Sequence, residues 1–337
     1  MDLKDFIAKN GGEYFPISDP LPLIFKPPKM FRKEDLFIWE EIINVLRKES
    51  MPQYAGIIND ACVQGDKGFI KAKGIFLNDF GTVIGNFSKI HDIEDKVCVS
   101  LVAEDAGKNY WHWIQTSLGK LSIIQNVTSF DKCIFIINSF NNNFVKSSLL
   151  AMGIESKNCV ELVDRSVQCK KLIVSSKLYD GDAKSLLYLR ERLRKKDTES
   201  KRVYISRLGA TMRRIENEDE VFEVLRKMGF TFVRCEKMSF NEQVNLFSNA
   251  DFIVGAHGAG MTNALFAKNN AKILEIRNRD YQGLCYYKMC NNLGMGYYNL
   301  YGTGHYVKKI EEFGTNIVGN IKVDIKDLVG TLEMMGA

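Results

Sequence analysis

Asp251-Phe-Ile-Val-Gly255-Ala-His257-Gly258-Ala259-Gly260-Met261-Thr262-Asn263 is the stretch on which the reading of this chain turns. An apolar strand runs into three glycines and then into a helical pattern. Glycines at such a junction let a ligand approach the backbone closely. A helix start offers free N–H groups and roughly half a positive charge to an anion. A phosphate or pyrophosphate is the guest this chemistry suits, and His257 can add a hydrogen bond. A plain tight turn accounts for the glycines but not for a histidine set between them. Glu275 follows Gly255 by 20 residues, at the end of the next strand. An acid there binds ribose hydroxyls in nucleotide folds, or is a strand-end carboxylate facing solvent. A dinucleotide oxidoreductase is disfavoured, because the glycines read G-x-x-G-x-G rather than G-x-G-x-x-G.

Working outward, strands and helices alternate on both sides of this loop. Arg202–Ser206, Phe230–Val233, Ala271–Ile276 and Tyr297–Tyr301 read as strands. Asn217–Met228, Gln282–Leu293 and a capping box opening at Ser239-Phe240-Asn241-Glu242 read as helices. Such alternation implies a parallel sheet with helices on both faces, and ligands sit beyond the carboxyl ends of its strands. The strand Val203-Tyr204-Ile205-Ser206 ends in Arg207, and Arg213 and Arg214 follow in the loop. Arginine opposes the dipole of a helix start, and its planar fork suits a diphosphate.

The first half is mixed α and β. Lys33–Lys48 is an amphipathic helix, with Trp39, Ile42 and Leu46 on or near one face. Tyr54 to Phe87 is strand-like and punctuated by glycines, with Asn78-Asp79-Phe80-Gly81 as a hairpin turn. Val97–Val102 and Cys133–Ile137 are buried strands, with a helix from Tyr110 to Gln125 between them. A basic helix spans Asp182 to Lys196. From Arg190 to Arg214 ten lysines and arginines stand against three acids. That stretch is a solvated face and linker, or a seat on an anionic membrane; it has too few interleaved aromatics for nucleic acid.

The 337 residues are 45% hydrophobic and 26% charged, with a net charge of +5. These values exclude a disordered chain or a fibre, and no apolar run reaches the length of a membrane helix. The start lacks a secretory apolar stretch, which points to a cytoplasmic protein, peripheral at most to the inner membrane face. The eight cysteines have no metal spacing, so they read as buried thiols in a reducing compartment. His91 and His305 have no supporting context. Asp180-Gly181-Asp182 has the form of a metal-binding Asp-x-Asp, but Asp182 reads as a helix N-cap. No metal and no cofactor is expected.

At these residues the sequence resembles glycosyltransferase family 61. The resemblance is carried by Tyr204-Ile-Ser-Arg207…Arg213…Asn217-Glu218, by Ser239-Phe-Asn-Glu-Gln243 and by Gly255 to Asn263. Asn109-Tyr110-Trp111-His112-Trp113 adds a fourth motif, and the four stand in the family's order. The pattern departs after His112: Thr116 occupies the place of an acid, and Gly119-Lys120 that of Pro-Arg. The resemblance implies a GT-B fold, two Rossmann-like α/β domains facing across a cleft. The expected boundaries are 1–180 on the acceptor side, 181–320 for the nucleotide sugar, and a helix in 321–337 returning to the first domain. It implies an inverting transferase that moves a sugar from a nucleotide-diphosphate sugar to a glycan or lipid-linked acceptor in surface-glycan synthesis, without a metal. His112 is then the catalytic base, with Glu104 and Asp105 in reserve. Arg207 and Arg213 hold the diphosphate, the backbone of His257, Gly258, Ala259 and Gly260 caps it with Asn263 nearby, and Glu275 takes the ribose or donor sugar. Asn217 and Glu218 cap a helix. The competing reading is a catalytically inactive protein of the same fold that binds a nucleotide sugar or glycan, favoured by Thr116.

Overall fold

The computed structural model describes residues 1–81, 90–163, 165–195, 199–279, 281, 283–303 and 319–337. Lys196, Gln282 and His305, and the part of the glycine-punctuated region beyond Gly81, lie outside the described residues. The chain divides into two compact units. One comprises Met1–Pro22 and Glu49–Arg192, the other Leu23–Lys48 and Leu193–Ala337.

The first unit is built on an eight-stranded sheet. Its strands are β1 (Glu13–Ser18), β2 (Gln53–Gln64), β3 (Phe69–Ala72), β4 (Ile75–Phe76), β5 (Ile90–Ser100), β6 (Cys133–Ile137), β7 (Cys159–Glu161) and β8 (Ser166–Ser175). The order is β4-β3-β2-β8-β5-β6-β7, with β1 also on β2. β5 runs parallel to β6 and β8, and β6 to β7. β2 is antiparallel to β1, β3 and β8. The sheet is therefore mixed, where a Rossmann-like domain was expected. The cause is local: Gly65 and Gly68, both with positive φ, close a short turn between β2 and β3, and so short a link permits only antiparallel pairing. Ile58, Val63, Cys98, Ile136, Cys169 and Leu172 lie in the core of this sheet.

The helix expected from Tyr110 to Gln125 is broken into three. His112–Ser117 is a π-helical stretch, Leu118–Lys120 a 3₁₀ turn and Leu121–Ile124 a single α-helical turn. Side chains in this stretch bond to backbone carbonyls. The Thr116 hydroxyl donates to the His112 carbonyl at 2.6 Å, and Ser117 Oγ donates to Leu101 O at 2.6 Å. The Thr116 bond competes with the helical ladder and loosens it.

The second unit carries the expected parallel sheet. Its strands β9 (Lys201–Ile205), β10 (Thr231–Val233), β11 (Ala250–Ala256), β12 (Lys272–Arg277) and β13 (Gly296–Tyr301) are ordered β10-β9-β11-β12-β13. Every pairing is parallel. This doubly wound order reverses direction between β9 and β11, and the crevice outside their carboxyl ends is the natural ligand site. The capping box at Ser239 and Glu242 opens the helix Phe240–Ser248. The helix expected after the glycines is a 3₁₀ run, Ala259–Phe266.

Three expected boundaries change. The division expected at 180 falls after Arg192. Residues 23–48 belong to the second unit, not the first. There Trp39 is fully buried, with its ring 4.7 Å from Tyr287 and 5.3 Å from the Arg277 guanidinium. Arg279 pairs with Asp35 at 3.1 Å. The C-terminal helix Ile325–Met335 also stays in the second unit, where Leu328, Leu332 and Met335 join the core with Tyr204, Val254 and Leu274. Among the described residues no helix is long and apolar enough to cross a membrane.

Candidate functional site

The switch between β9 and β11 brings the arginine loop to the glycine loop. Arg207 follows β9 directly, and His257 and Gly258 follow β11. The Arg207 guanidinium lies on the loop backbone: a Cβ added at Gly258 would stand 1.7 Å from its Nη1. Gly258 itself is extended, with φ 171°, so the close approach, not a special backbone angle, requires glycine here. Arg207 Nη2 donates to Met212 O at 2.9 Å, closing the arginine loop on itself. Gly260 is also tightly placed, its absent Cβ lying 3.0 Å from Ile205.

Arg213 sits in the left-handed region, with φ 55°. That conformation costs a non-glycine residue about 1–2 kcal/mol and concentrates at functional sites. Its guanidinium is 4.8 Å from the centre of the Tyr281 ring. Burial, followed by the like charge of Arg213, pulls the Arg207 pKa below the usual value. Both residues have a buried Nε without a hydrogen-bond partner. Two mutually repelling guanidiniums with unspent donors offer charge and N–H groups that suit an anion.

His257 is 5% exposed, and its Nδ1 is hydrogen-bonded to Glu275 Oε1. Tyr281 and Tyr286 flank the ring, with centroids 4.2 and 5.0 Å away. Burial drives the His257 pKa down against the pull of Glu275, so the neutral ring donates Nδ1–H to the carboxylate. Glu275 was expected on the ribose or donor sugar. It is instead 0% exposed, and Tyr297 Oη donates to its second oxygen at 2.5 Å. Burial tends to raise its pKa, but His257 and the Arg277 cation hold it below the usual carboxylate value. Glu275 thus positions His257 and has no surface to offer a ligand. The sequence misled because strand-end acids are usually exposed, whereas β12 has neighbours on both sides.

Further expectations are corrected. The His257 N–H donates to Ile276 O at 3.0 Å, so it extends the sheet instead of capping a phosphate. The amides at the start of the 3₁₀ run, those of Ala259 and Gly260, are the ones a helix start leaves without intrahelical partners. Asn263 is fully buried, and its Nδ2 donates to Gln243 Oε1 at 2.7 Å and to Gly260 O at 3.1 Å. It ties the loop to the helix Phe240–Ser248. Asn217 makes no capping bond and exchanges two hydrogen bonds with the backbone of Val323. Glu218 accepts from the Tyr204 hydroxyl at 2.8 Å. In Asp180-Gly181-Asp182, Asp182 Oδ1 accepts from Ser185 N at 2.8 Å, and Asp180 Oδ1 from Trp111 Nε1 at 3.0 Å. Among the described residues no cluster of three His, Cys, Asp or Glu side chains is placed to hold a metal ion. All eight cysteines are free thiols.

His112 lies in the first unit, on the wall of a cavity of about 550 Å³ that Glu104, Asp105 and Thr116 also line. Glu104 is ion-paired to Lys67, which first of all lowers its pKa; His112 and Lys177 add to this. The Thr116 hydroxyl hydrogen is spent on the His112 carbonyl. Sequence reasoning missed Tyr281, Tyr286 and Arg277, whose roles depend on packing against a loop more than 20 residues away. The signal that was available is the aromatic run Tyr286-Tyr287 opening a helix beside the glycine loop.

Residues 110–274, just under half of the chain, match the family Glycosyltransferase 61. The match takes in His112, Arg207, Arg213 and the glycine loop. The chain is similar to the EGF domain-specific O-linked N-acetylglucosamine transferases of Drosophila melanogaster (34% identity over 97 residues) and Gallus gallus (29% over 101 residues). It is also similar to the beta-1,2-xylosyltransferase of Arabidopsis thaliana, with 34% identity over 87 residues. These matches cover 28%, 28% and 22% of this chain but only 18%, 19% and 16% of the relatives. Over residues 110–274 the chain is thus similar to glycosyltransferase family 61, and the relatives it resembles are named as glycosyltransferases.

Proposed function

We propose that this protein is an inverting glycosyltransferase that takes a sugar from a nucleotide-diphosphate donor and passes it to a glycan hydroxyl in surface-glycan synthesis. The observation that carries the reading is Arg207 against Gly258 at the strand-order switch, with Arg213 close enough to repel it and each arginine carrying an unpartnered buried Nε. A diphosphate matches this charge and these donors. Its charge grows as the glycosidic bond breaks, and preformed donors aimed at developing charge lower the barrier. In this reading the arginines do the work that a divalent metal does elsewhere, and no cofactor is required.

Inversion needs a single in-line displacement, with a base taking the acceptor proton. His112 is that base in this reading, since its imidazole can accept and release a proton. The GT-B fold that the resemblance implies belongs to the same proposal. So does a cytoplasmic site of action at the inner face of a membrane. The second reading, a binding protein without turnover, is favoured by Thr116, whose hydroxyl supports the His112 backbone and does not orient the ring.

The test is a thermal shift of the wild type, Arg207→Ala and His112→Ala against UDP, GDP, ADP, dTDP and their sugars. A ligand specific to the folded state raises the melting temperature by mass action. Stabilisation of the wild type and His112→Ala, but not of Arg207→Ala, is expected. No shift with any nucleotide would end the donor assignment. Binding without donor turnover in the presence of acceptors would favour the second reading.

A further inference from the structure

The cavity beside His112 holds an arrangement that proton abstraction does not need. Lys120 is 7% exposed, yet it lines this cavity with its ammonium donating to Val102 O. One carbonyl satisfies one of the three protons of an ammonium. Lys177 lines the same cavity, and the charge acting on Lys120 is that of Lys177, of like sign. Among the described residues the other ionisable groups on the wall are Lys67, Glu104, Asp105 and His112. Lys67 and Glu104 are taken up with each other. Lys120 and Lys177 are then two cations against Asp105, and a buried lysine without a counter-charge is expensive.

We infer that this cavity binds the acceptor sugar through an acidic group, a carboxylate such as that of a uronic acid, held between Lys120 and Lys177. The inference rests on the transferase reading for the word acceptor, but the anion site stands on the cavity alone. A carboxylate fits better than a dianion, because the wall offers a surplus of one cation over Asp105. The cavity is large enough for one hexose ring. Thr116 and His112 lie on the same wall, so a hydroxyl of that sugar is within the region served by the proposed base.

A titratable ammonium makes the preference pH-dependent. Burial, then Lys177, lowers the Lys120 pKa to about 7. An acidic ligand therefore meets a charged Lys120 at pH 6 and a largely neutral one at pH 8.5.

The experiment is a ligand-observed NMR titration of the full chain with methyl β-D-glucuronide, methyl β-D-glucoside and glucose 6-phosphate, at pH 6.0 and 8.5. The glucuronide is expected to bind at least about tenfold tighter than the glucoside at pH 6.0, with a smaller margin at pH 8.5. Lys177→Gln, on an exposed side chain, is expected to remove the margin. Lys120→Gln should do the same, and Lys177→Gln keeps the test decisive if Lys120→Gln does not fold. Equal binding of the two glycosides, or a margin untouched by Lys177→Gln, would overturn the inference. Tightest binding of glucose 6-phosphate would overturn the carboxylate assignment. Nucleotide binding, measured on the same samples, fails or holds independently and reports on the transferase reading alone.

Discussion

The Arg207 guanidinium and the Gly258 backbone occupy one space: a methyl group at residue 258 would stand 1.7 Å from Nη1. Contact this close fixes the arginine at the mouth of the β9–β11 crevice. It also makes the glycine a sensor of the arginine's position. The Gly258→Ala variant is expected to fold, because the end of a side chain can swing away. Its melting temperature should fall by a few degrees, about 1 kcal/mol. Affinity for the nucleotide diphosphate should fall at least about tenfold, as in Arg207→Lys, where the planar fork is lost. Isothermal titration of both variants checks this, and unchanged affinity in Gly258→Ala would remove Arg207 from the donor site.

Glu275 is expected to be a stability residue. Replacing it by Gln leaves the buried Arg277 without its counter-charge, a defect worth about 3–5 kcal/mol. The melting transition of the second unit should drop by roughly 10 °C. A variant of normal stability that had lost nucleotide binding would instead restore Glu275 as a ligand contact.

Acidification should weaken this same pair in two stages. The folded pKa of His257 lies below 6.5 and that of Glu275 below 4.5. For both groups the unfolded chain takes up protons first, so stability falls as pH falls. The loss begins near pH 6.5 through His257 and continues below 4.5 through Glu275. Thermal melts between pH 7.5 and 4 should show both stages, and His257→Gln should flatten the upper one.

Lys120 gives the opposite limb. Its folded pKa of about 7 lies below the ordinary 10.5, so between those values the folded state holds fewer protons and stability rises with pH. The window from pH 7 to 8.5, below the titration of phenols and ordinary thiols, isolates this effect. Lys120→Met is expected to abolish the rise. A wild type whose first unit gains nothing from pH 7 to 8.5 would show that the Lys120 ammonium is better solvated than its burial indicates.

The His112→Ala variant should retain nucleotide binding and lose about 10²–10⁴-fold in turnover, the usual contribution of a positioned base. A transfer assay at saturating donor measures it. A loss below tenfold would pass the role to Glu104 or Asp105.

Much of the second unit was legible because its signals are local. The strand into Gly255, the capping box at Ser239 and the arginine closing β9 each lie within a dozen residues. What was hidden lies at longer range. Nothing near Glu275 announces that His257 and Tyr297 will occupy both of its oxygens. Nothing in the amphipathic pattern of 33–48 says which sheet Trp39 will cover. The π-helical stretch at His112 was hidden for another reason: a threonine bonding back to a carbonyl one turn earlier looks the same in sequence as a threonine in a regular helix.

The placement of residues 23–48 in the second unit sets a timetable for synthesis. The helix Leu36–Val45 emerges from the ribosome early, but the residues that bury Trp39, among them Arg277 and Tyr287, follow only after the whole of 49–192. At about 5–20 residues per second the wait is on the order of ten seconds. Through that interval Trp39 lacks the Arg277, Tyr287 and Tyr297 side chains that cover it, while the first unit folds around a gap in its own sequence. A nascent chain of this protein therefore carries an unclaimed apolar helix as a routine stage of its manufacture, and holdase chaperones are expected to meet it there.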